Sequence, residues 1–375
     1  MSNNGFNTEA IHAGRDARHS STPIHVAATA AGYYTRGGNP SIEALEQAIA
    51  ALEGGNQAIA CACGMAAITQ TLLSLLKSGD HVVCHRSVYD WTDWWLRDEM
   101  PRFGVETTQV DLRDAEAFAD ALRPNTRIVY FEPLSNPGLD LIDLRAIVSV
   151  AHDAGALVVV DNTFLSPALL RPLEHGADIV LHSATKFLNG HGDALGGVAV
   201  MDDPELYDKV YRSRNLQGGV ISPFNAFLIM RGMETLSIRM NQHGTNAMKV
   251  ARFLSGHSSV SEVRYPGLES HPDVRTAEEL LPKGCGGMVG LTIKGGQSAG
   301  HQFAGSLQLV RPWVSLGDTG SLVYGRQCEP RKGIPEGFAR LSVGLEDAED
   351  IIADLDQALN KTHTESGTAS ATHGD

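Results

Sequence analysis

Two short stretches place an acid and an amine at the ends of apolar segments. Leu157-Val158-Val159-Val160-Asp161-Asn162-Thr163 closes on a carboxylate, and Asp178-Ile179-Val180-Leu181-His182-Ser183-Ala184-Thr185-Lys186 closes on two hydroxyls and a lysine. Unbroken β-branched and leucine runs of this length suit central strands of a parallel sheet covered on both faces. Ligands of such sheets collect beyond the carboxyl ends of the strands, so Asp161, Ser183, Thr185 and Lys186 are expected to converge. The set matches what pyridoxal 5'-phosphate requires: an amine that condenses with the aldehyde, an acid for the pyridinium nitrogen and hydroxyls for the phosphate. Taken singly, each residue could equally be a solvated strand end. The ordered pair, with Ser-x-Thr-Lys after the second strand, favours the cofactor.

The segments around these two must hold them in place. Ser41 is expected to N-cap a helix with one apolar stripe (Ile42, Leu45, Ala48, Ile49, Leu52) that ends at Gly54-Gly55. A short strand at residues 58–63 turns into a helix at Gly64, where backbone N–H groups could bind an anion. Strands near 81–84, 105–110 and 127–132 alternate with helices near 114–122 and 143–154, and residues 198–201 read as a returning strand. That alternation predicts an α/β fold with a doubly wound, mainly parallel sheet between helices. A long helical stretch from Ser222 to about Leu254 leads into a smaller α/β domain. Its expected strands lie near 260–264, 288–293 and 310–316, with helices near 299–307 and 347–359. The expected division is an extended arm at 1–40, a cofactor domain at 41–235, a C-terminal domain at 236–360 and a disordered Ser/Thr/His/Gly-rich tail at 361–375.

Composition limits the function classes. The 375 residues are 42% hydrophobic and 20% charged, ordinary for a soluble globular protein with a large core. A net charge of −14 argues against nucleic acid or an anionic membrane as the main partner. No apolar run is long enough to span a bilayer, and the first residues lack the pattern of a signal peptide. The five cysteines are odd in number, and neither they nor the fifteen histidines show metal-ligand spacing. Reduced thiols in a cytoplasmic protein, with no metal, are the expectation.

Asp161-Asn162-Thr163 followed by His182-Ser183-Ala184-Thr185-Lys186 resembles the Cys/Met-metabolism family of fold-type I pyridoxal-phosphate enzymes, and the resemblance runs from about Asn7 to Asn360. Family activities include methionine γ-lyase, cystathionine synthases and lyases, and O-acylhomoserine sulfhydrylases; the motifs lie nearest methionine γ-lyase and cystathionine γ-synthase. The fold it implies has a seven-stranded, mainly parallel sheet in the large domain. By the same resemblance, Tyr34 and Arg36 in the arm reach the phosphate of a neighbouring subunit's cofactor, within a homotetramer made of two tight dimers. A planar guanidinium suits a phosphate because it donates two parallel hydrogen bonds. Gly64 and Met65 are implied on the phosphate as well, with Cys63 standing where a serine is usual. Tyr89 is implied over the pyridine ring and in acid–base steps, and Asn136 at the ring oxygen. Lys186 is implied as the catalytic base, Ser315 as a substrate-side residue and Arg340 as the binder of the substrate carboxylate. Without the family, a surface loop would account for the arm, a plain turn for Asn136, and a salt-bridged core residue for Arg340.

Four departures bear on substrate. Asp90 follows Tyr89 where glycine is common, and three of the four tryptophans (Trp91, Trp94, Trp95) come directly after it. Asn215-Leu216 replaces a Lys-Asp pair of methionine γ-lyases, and Val314 replaces a glutamate of cystathionine-processing members. The segment between Gly317 and Gly333 is shorter than in the family and lacks its His-Pro-Ala-x-Met-Thr-His stretch. These readings imply γ-elimination or γ-replacement on an L-amino acid with a leaving group at Cγ, with a specialised substrate left open. A pyridoxal-phosphate β-lyase or aminotransferase is the nearer alternative. A non-catalytic phosphate-ligand binding protein is the remote one, since it would have no use for Lys186.

Overall fold

The apolar runs become strands buried on both faces. Val158, Val159 and Val160 have no measurable exposure, and neither do Ile179, Val180 and Leu181. Full burial of such a side chain contributes roughly 1.5–3 kcal/mol. The computed structural model describes residues 4–16, 18–324 and 333–364. In the arm, β1 (Thr29–Ala30) and β2 (Tyr33–Tyr34) pair antiparallel. Next come β3 (Gln57–Cys61), β4 (His81–His85), β5 (Glu106–Val110), β6 (Thr126–Phe131), β7 (Leu157–Asp161), β8 (Ile179–His182) and β9 (Gly197–Met201). These seven form one sheet in the order β3-β9-β8-β7-β6-β4-β5. The block from β5 to β8 is parallel throughout, whereas β9 runs antiparallel to both β8 and β3. The sheet is therefore mixed, with its parallel part where the cofactor residues were expected. The strand order reverses at β4, which lies between β5 and β6, and this switch point is where an α/β sheet leaves a crevice.

Residues 1–136 and 141–238 form one unit, and residues 137–140 and 239–375 a second. In the second unit β10 (Val260–Arg264), β11 (Met288–Ile293), β12 (Leu322–Tyr324) and β13 (Phe338–Ser342) make an antiparallel sheet in the order β10-β11-β13-β12. Its core gathers Val289, Leu291 and Leu341 with Phe303 and Leu355.

Several boundaries differ from the sequence expectation, each for a local reason. Asn39, not Ser41, caps helix Pro40–Glu53: its side chain accepts from the Ser41 N–H, and Pro40 occupies the first helical position. The Ser41 hydroxyl instead ties the arm, accepting from the His25 N–H and donating to the Pro23 carbonyl. The long helix from Ser222 is two helices, Pro223–Met233 and Leu236–Ser255. At the break the Thr235 N–H and hydroxyl both turn back to the Gly232 carbonyl. Residues 310–316 are not a strand. Arg311 makes only an isolated bridge to Leu322, and Ser315 has a φ of 97°, which no strand tolerates. The last helix, Ala348–Thr364, takes in the first four residues of the expected tail; the rest of that tail, and residues 325–332 of the shortened segment, lie outside the described residues. No helix of the described residues is long and apolar enough to cross a membrane.

Candidate active site

Asp161 and Ser183 meet through Thr163. The Thr163 N–H and hydroxyl donate to Asp161 Oδ1 at 3.0 and 2.5 Å, and the Thr163 hydroxyl oxygen accepts from the Ser183 N–H at 2.8 Å. One side chain thus locks the acid at the end of β7 to the segment that leaves β8. The strand register accounts for it. Asp161 pairs with Leu181, so Asp161, Thr163 and Ser183 fall on one face of the sheet. Tyr130 lies on that face too, with its hydroxyl 3.5 Å from Asp161 Oδ2. Burial pushes the Asp161 carboxyl above the usual carboxylate range; the two Thr163 hydrogen bonds and the nearby His182 pull it back down. The Tyr130 phenol is pushed well up, first by burial and then by the charges of Asp161 and Glu132.

The anion end of the site lies where helix Gly64–Leu75 begins. Its N-cap residue, Cys63, makes no side-chain cap bond, and the first N–H groups of a helix have no intrahelical acceptor. Gly64 packs so closely on Ser183 that a Cβ there would sit 2.7 Å from Ser183 Cβ and 2.9 Å from its Oγ. Only glycine lets the Ser183 hydroxyl share this cradle with the helix start. The Thr185 hydroxyl donates to the Gly196 carbonyl and accepts from the Gly196 N–H, which fixes the loop after β8. Lys186 is half-buried, one turn beyond Ser183, whose carbonyl accepts its N–H.

The loops at the switch point bring in Tyr89 and Asn136. Glu132, buried at the end of β6, accepts the Tyr89 N–H at 2.7 Å. The Ser87 hydroxyl donates to the Asn136 carbonyl at 3.3 Å. Met65 is tied to the same region, its sulfur lying 3.7 Å from the Thr92 hydroxyl. The Tyr89 ring is partly exposed. Trp91 and Trp94 beside it are exposed and stand edge to face at 5.2 Å.

Tyr34 ends the arm ladder and Arg36 lies in the turn after it, both exposed. The Arg36 guanidinium sits over the Tyr34 ring and donates to the Asn215 carbonyl of its own chain at 3.1 Å. In the second unit the structure brings Ser315 and Arg340 together. Arg340, buried in β13, donates from Nη2 to the Ser315 carbonyl at 3.3 Å and stacks over Tyr324. The unusual backbone of Ser315 is what presents that carbonyl.

Sequence reasoning left three contributors without a role: Thr163, Tyr130 and Glu132. Period-two alternation from Asp161 would have put Thr163 on its face, and the register of β6 against β7 would have added Tyr130; Glu132 has no comparable signal. The donor set fits pyridoxal phosphate on the structure's own terms. A buried carboxylate is held by close donors at Oδ1 and a longer one at Oδ2, an uncapped helix start shares a glycine-cut cradle with a serine, and a lysine follows within a turn.

A family profile described as Cys/Met metabolism PLP-dependent enzyme matches residues 12–360. The chain is 42% identical over 391 residues to the L-methionine gamma-lyase of Treponema denticola, covering 95% of this chain and 97% of that protein. It is 41% identical over 333 residues to the cystathionine gamma-synthase of Mycobacterium bovis, covering 87% and 86%. The crystal structure of metB from Corynebacterium glutamicum superposes with a TM-score of 0.93 at 38% identity, covering 96% of this chain and 99% of that one.

Proposed function

The chain belongs to the Cys/Met-metabolism pyridoxal-phosphate enzymes, and from that premise we propose that it catalyses γ-elimination or γ-replacement on an L-amino acid without a second charged head. The observation that carries this reading is the Asp161–Thr163–Ser183 junction with Lys186 one turn on. The residues that would hold the cofactor are Lys186 at the aldehyde, Asp161 at the ring nitrogen, Ser183 and Thr185 with the Gly64 and Met65 N–H groups at the phosphate, Tyr89 over the ring and Asn136 at the ring oxygen. Once bound, the cofactor supplies an electron sink conjugated with the substrate's Cα. Arg340 is proposed for the α-carboxylate. The Lys186 amine would serve as the base for the α-proton and the carrier of protons at Cβ, and Tyr89 would assist the leaving group at Cγ.

Substrate choice is proposed from the residues that neighbour these groups along the chain. Val314 offers no anion to a distal ammonium, and the exposed Trp91–Trp94 pair beside Tyr89 favours an uncharged or flat side chain. A missing charge or hydrogen-bond partner costs more selectivity than a missing methylene, because the unpaired group must be desolvated. Cystathionine is therefore expected to be a poorer substrate than O-acetylhomoserine or a γ-thioether, and methionine is expected to be slow because Asn215-Leu216 replaces a charged pair. The check is kcat/KM for cystathionine, methionine and O-acetylhomoserine under one set of conditions, with products identified by mass spectrometry with and without a thiol. Cystathionine emerging as the best of the three would overturn the reading of Val314. Ketone formation with no loss of the γ-group would point to an aminotransferase.

A homotetramer of two tight dimers in the cytoplasm completes the proposal, supported by the exposed Tyr34–Arg36 stack and by the thiols of Cys61, Cys63 and Cys285, which form no disulfide among the described residues. If the arm serves a neighbour's phosphate, mixing an Arg36→Ala chain with a Lys186→Ala chain creates hybrid dimers with one intact site. Activity should return toward a quarter to a half of wild type, an order-of-magnitude expectation for random pairing with one working site per hybrid. Hybrids shown to form without recovery would exclude the crossing arm.

A further inference from the structure

Glu53 is the last residue of helix Pro40–Glu53, with Gly54 following in the left-handed conformation. An acid there faces the negative end of the helix dipole, and Glu53 is also fully buried. Both placements are unfavourable unless specific partners offset them. Those partners are the Asn162 side-chain N–H, at 3.3 Å from Oε1, and His182 Nε2, at 3.1 Å from the same oxygen. Asn162 directly follows Asp161 and His182 directly precedes Ser183. The register of β7 against β8 puts Asn162 and His182 on the sheet face opposite to Asp161, Thr163 and Ser183. The two strand ends are therefore fastened twice, by Thr163 on the cofactor face and by Glu53 on the other. Asn162 adds a second anchor by donating to the Leu170 carbonyl at 2.8 Å.

We propose that Glu53 and His182 are a pair of positioning residues that hold the ring-nitrogen acid and the phosphate-side serine as one rigid unit, so that their spacing is set before the cofactor arrives. Neither residue touches the cofactor; each acts through its neighbour in sequence. The inference rests on the reading that Asp161 and Ser183 hold the two ends of the cofactor. A buried carboxyl group with partners on two different strands is well suited to this, because releasing either one strips a buried polar group of a hydrogen bond that water cannot replace.

The test uses the loaded enzyme with Glu53→Gln, His182→Gln and the double variant. Three quantities are read: the rate of cofactor loss on dilution, the visible circular dichroism of the bound cofactor, and the melting temperature of cofactor-stripped protein. Each single variant is expected to lose cofactor about tenfold faster or more, the scale of a lost charge-assisted hydrogen bond, and to show weaker visible dichroism. KM for the amino acid should change less than kcat. The double variant should be no worse than the worse single variant, as expected when one interaction is removed twice. A merely structural pair would lower the melting temperature of stripped protein and leave cofactor loss and dichroism at wild-type values; that result overturns the proposal, as does simple additivity in the double variant. Should Glu53→Gln not fold, His182→Gln still decides through the same dichroism and release rate. Asp161→Asn and Ser183→Ala serve as controls. If they too leave release and dichroism unchanged, the assignment of the cofactor's two ends has failed rather than the pair.

Discussion

Lys186→Ala is expected to leave a folded protein that binds the cofactor without covalent attachment and turns over at least 10^3–10^4 times more slowly, on the order expected when a positioned proton-transfer group and a covalent anchor are lost together. The lysine is asked to do two things, and alanine can do neither. In the proposed mechanism it would hold the cofactor through its amine and serve as the base at Cα. Its position comes from the tight segment after β8, where the Lys186 N–H bonds the Ser183 carbonyl and its own carbonyl accepts from the Gly190 N–H at 2.7 Å. Removing the side chain disturbs none of these backbone bonds, so melting temperature should change little. Borohydride reduction followed by peptide mass spectrometry gives the independent readout: the label should appear on the Lys186 peptide of wild type and be absent from the variant. A label on another lysine, or activity within tenfold of wild type, would remove Lys186 from the mechanism.

The part of the site that lies along one strand was legible in the sequence, and the part that depends on pairing between strands was not. Asp161 and Lys186 stood out because apolar runs end there, and Gly64 because a strand gives way to a helix. Thr163, Tyr130, Glu53 and His182 take their roles from which face of which strand they share, and that needs the β6-β7-β8 register. The helix start at Asn39 was missed by two residues because proline shifts the cap toward the N-terminus. Residues 310–316 looked like a strand because they are apolar at intervals, yet the chain there bends to offer the Ser315 carbonyl to Arg340. The returning strand expected at residues 198–201 is β9, which runs antiparallel to both its neighbours.

Asp161→Asn separates stability from catalysis. Asparagine has the shape of aspartate, and its oxygen can accept both Thr163 hydrogen bonds while its amide faces the Tyr130 hydroxyl. What it lacks is the charge proposed to keep the cofactor's ring nitrogen protonated. Losing such a preorganised charge is expected to lower kcat by about 10^2–10^3, with KM changed much less. Stability should move the other way in cofactor-stripped protein. Burial raises the Asp161 carboxyl above its ordinary value, so the folded chain holds that proton more tightly than the unfolded chain does. For an acid with a raised folded-state value the cost is absent below the unfolded value. It grows as pH rises through the window between the two values and is fully present above the folded one. Stripped Asp161→Asn, which has no such group, should therefore match stripped wild type at acid pH and melt higher than it as pH rises. With cofactor bound the order should reverse, because the ring cation compensates the carboxylate in wild type and finds no partner in the variant. Melting temperatures of both proteins, stripped and loaded, across the pH range where each remains folded would show this crossing. A stripped variant that melts below wild type at every pH would mean that Asp161 is held chiefly as a structural carboxylate, and the ring-nitrogen role would then have to be sought elsewhere.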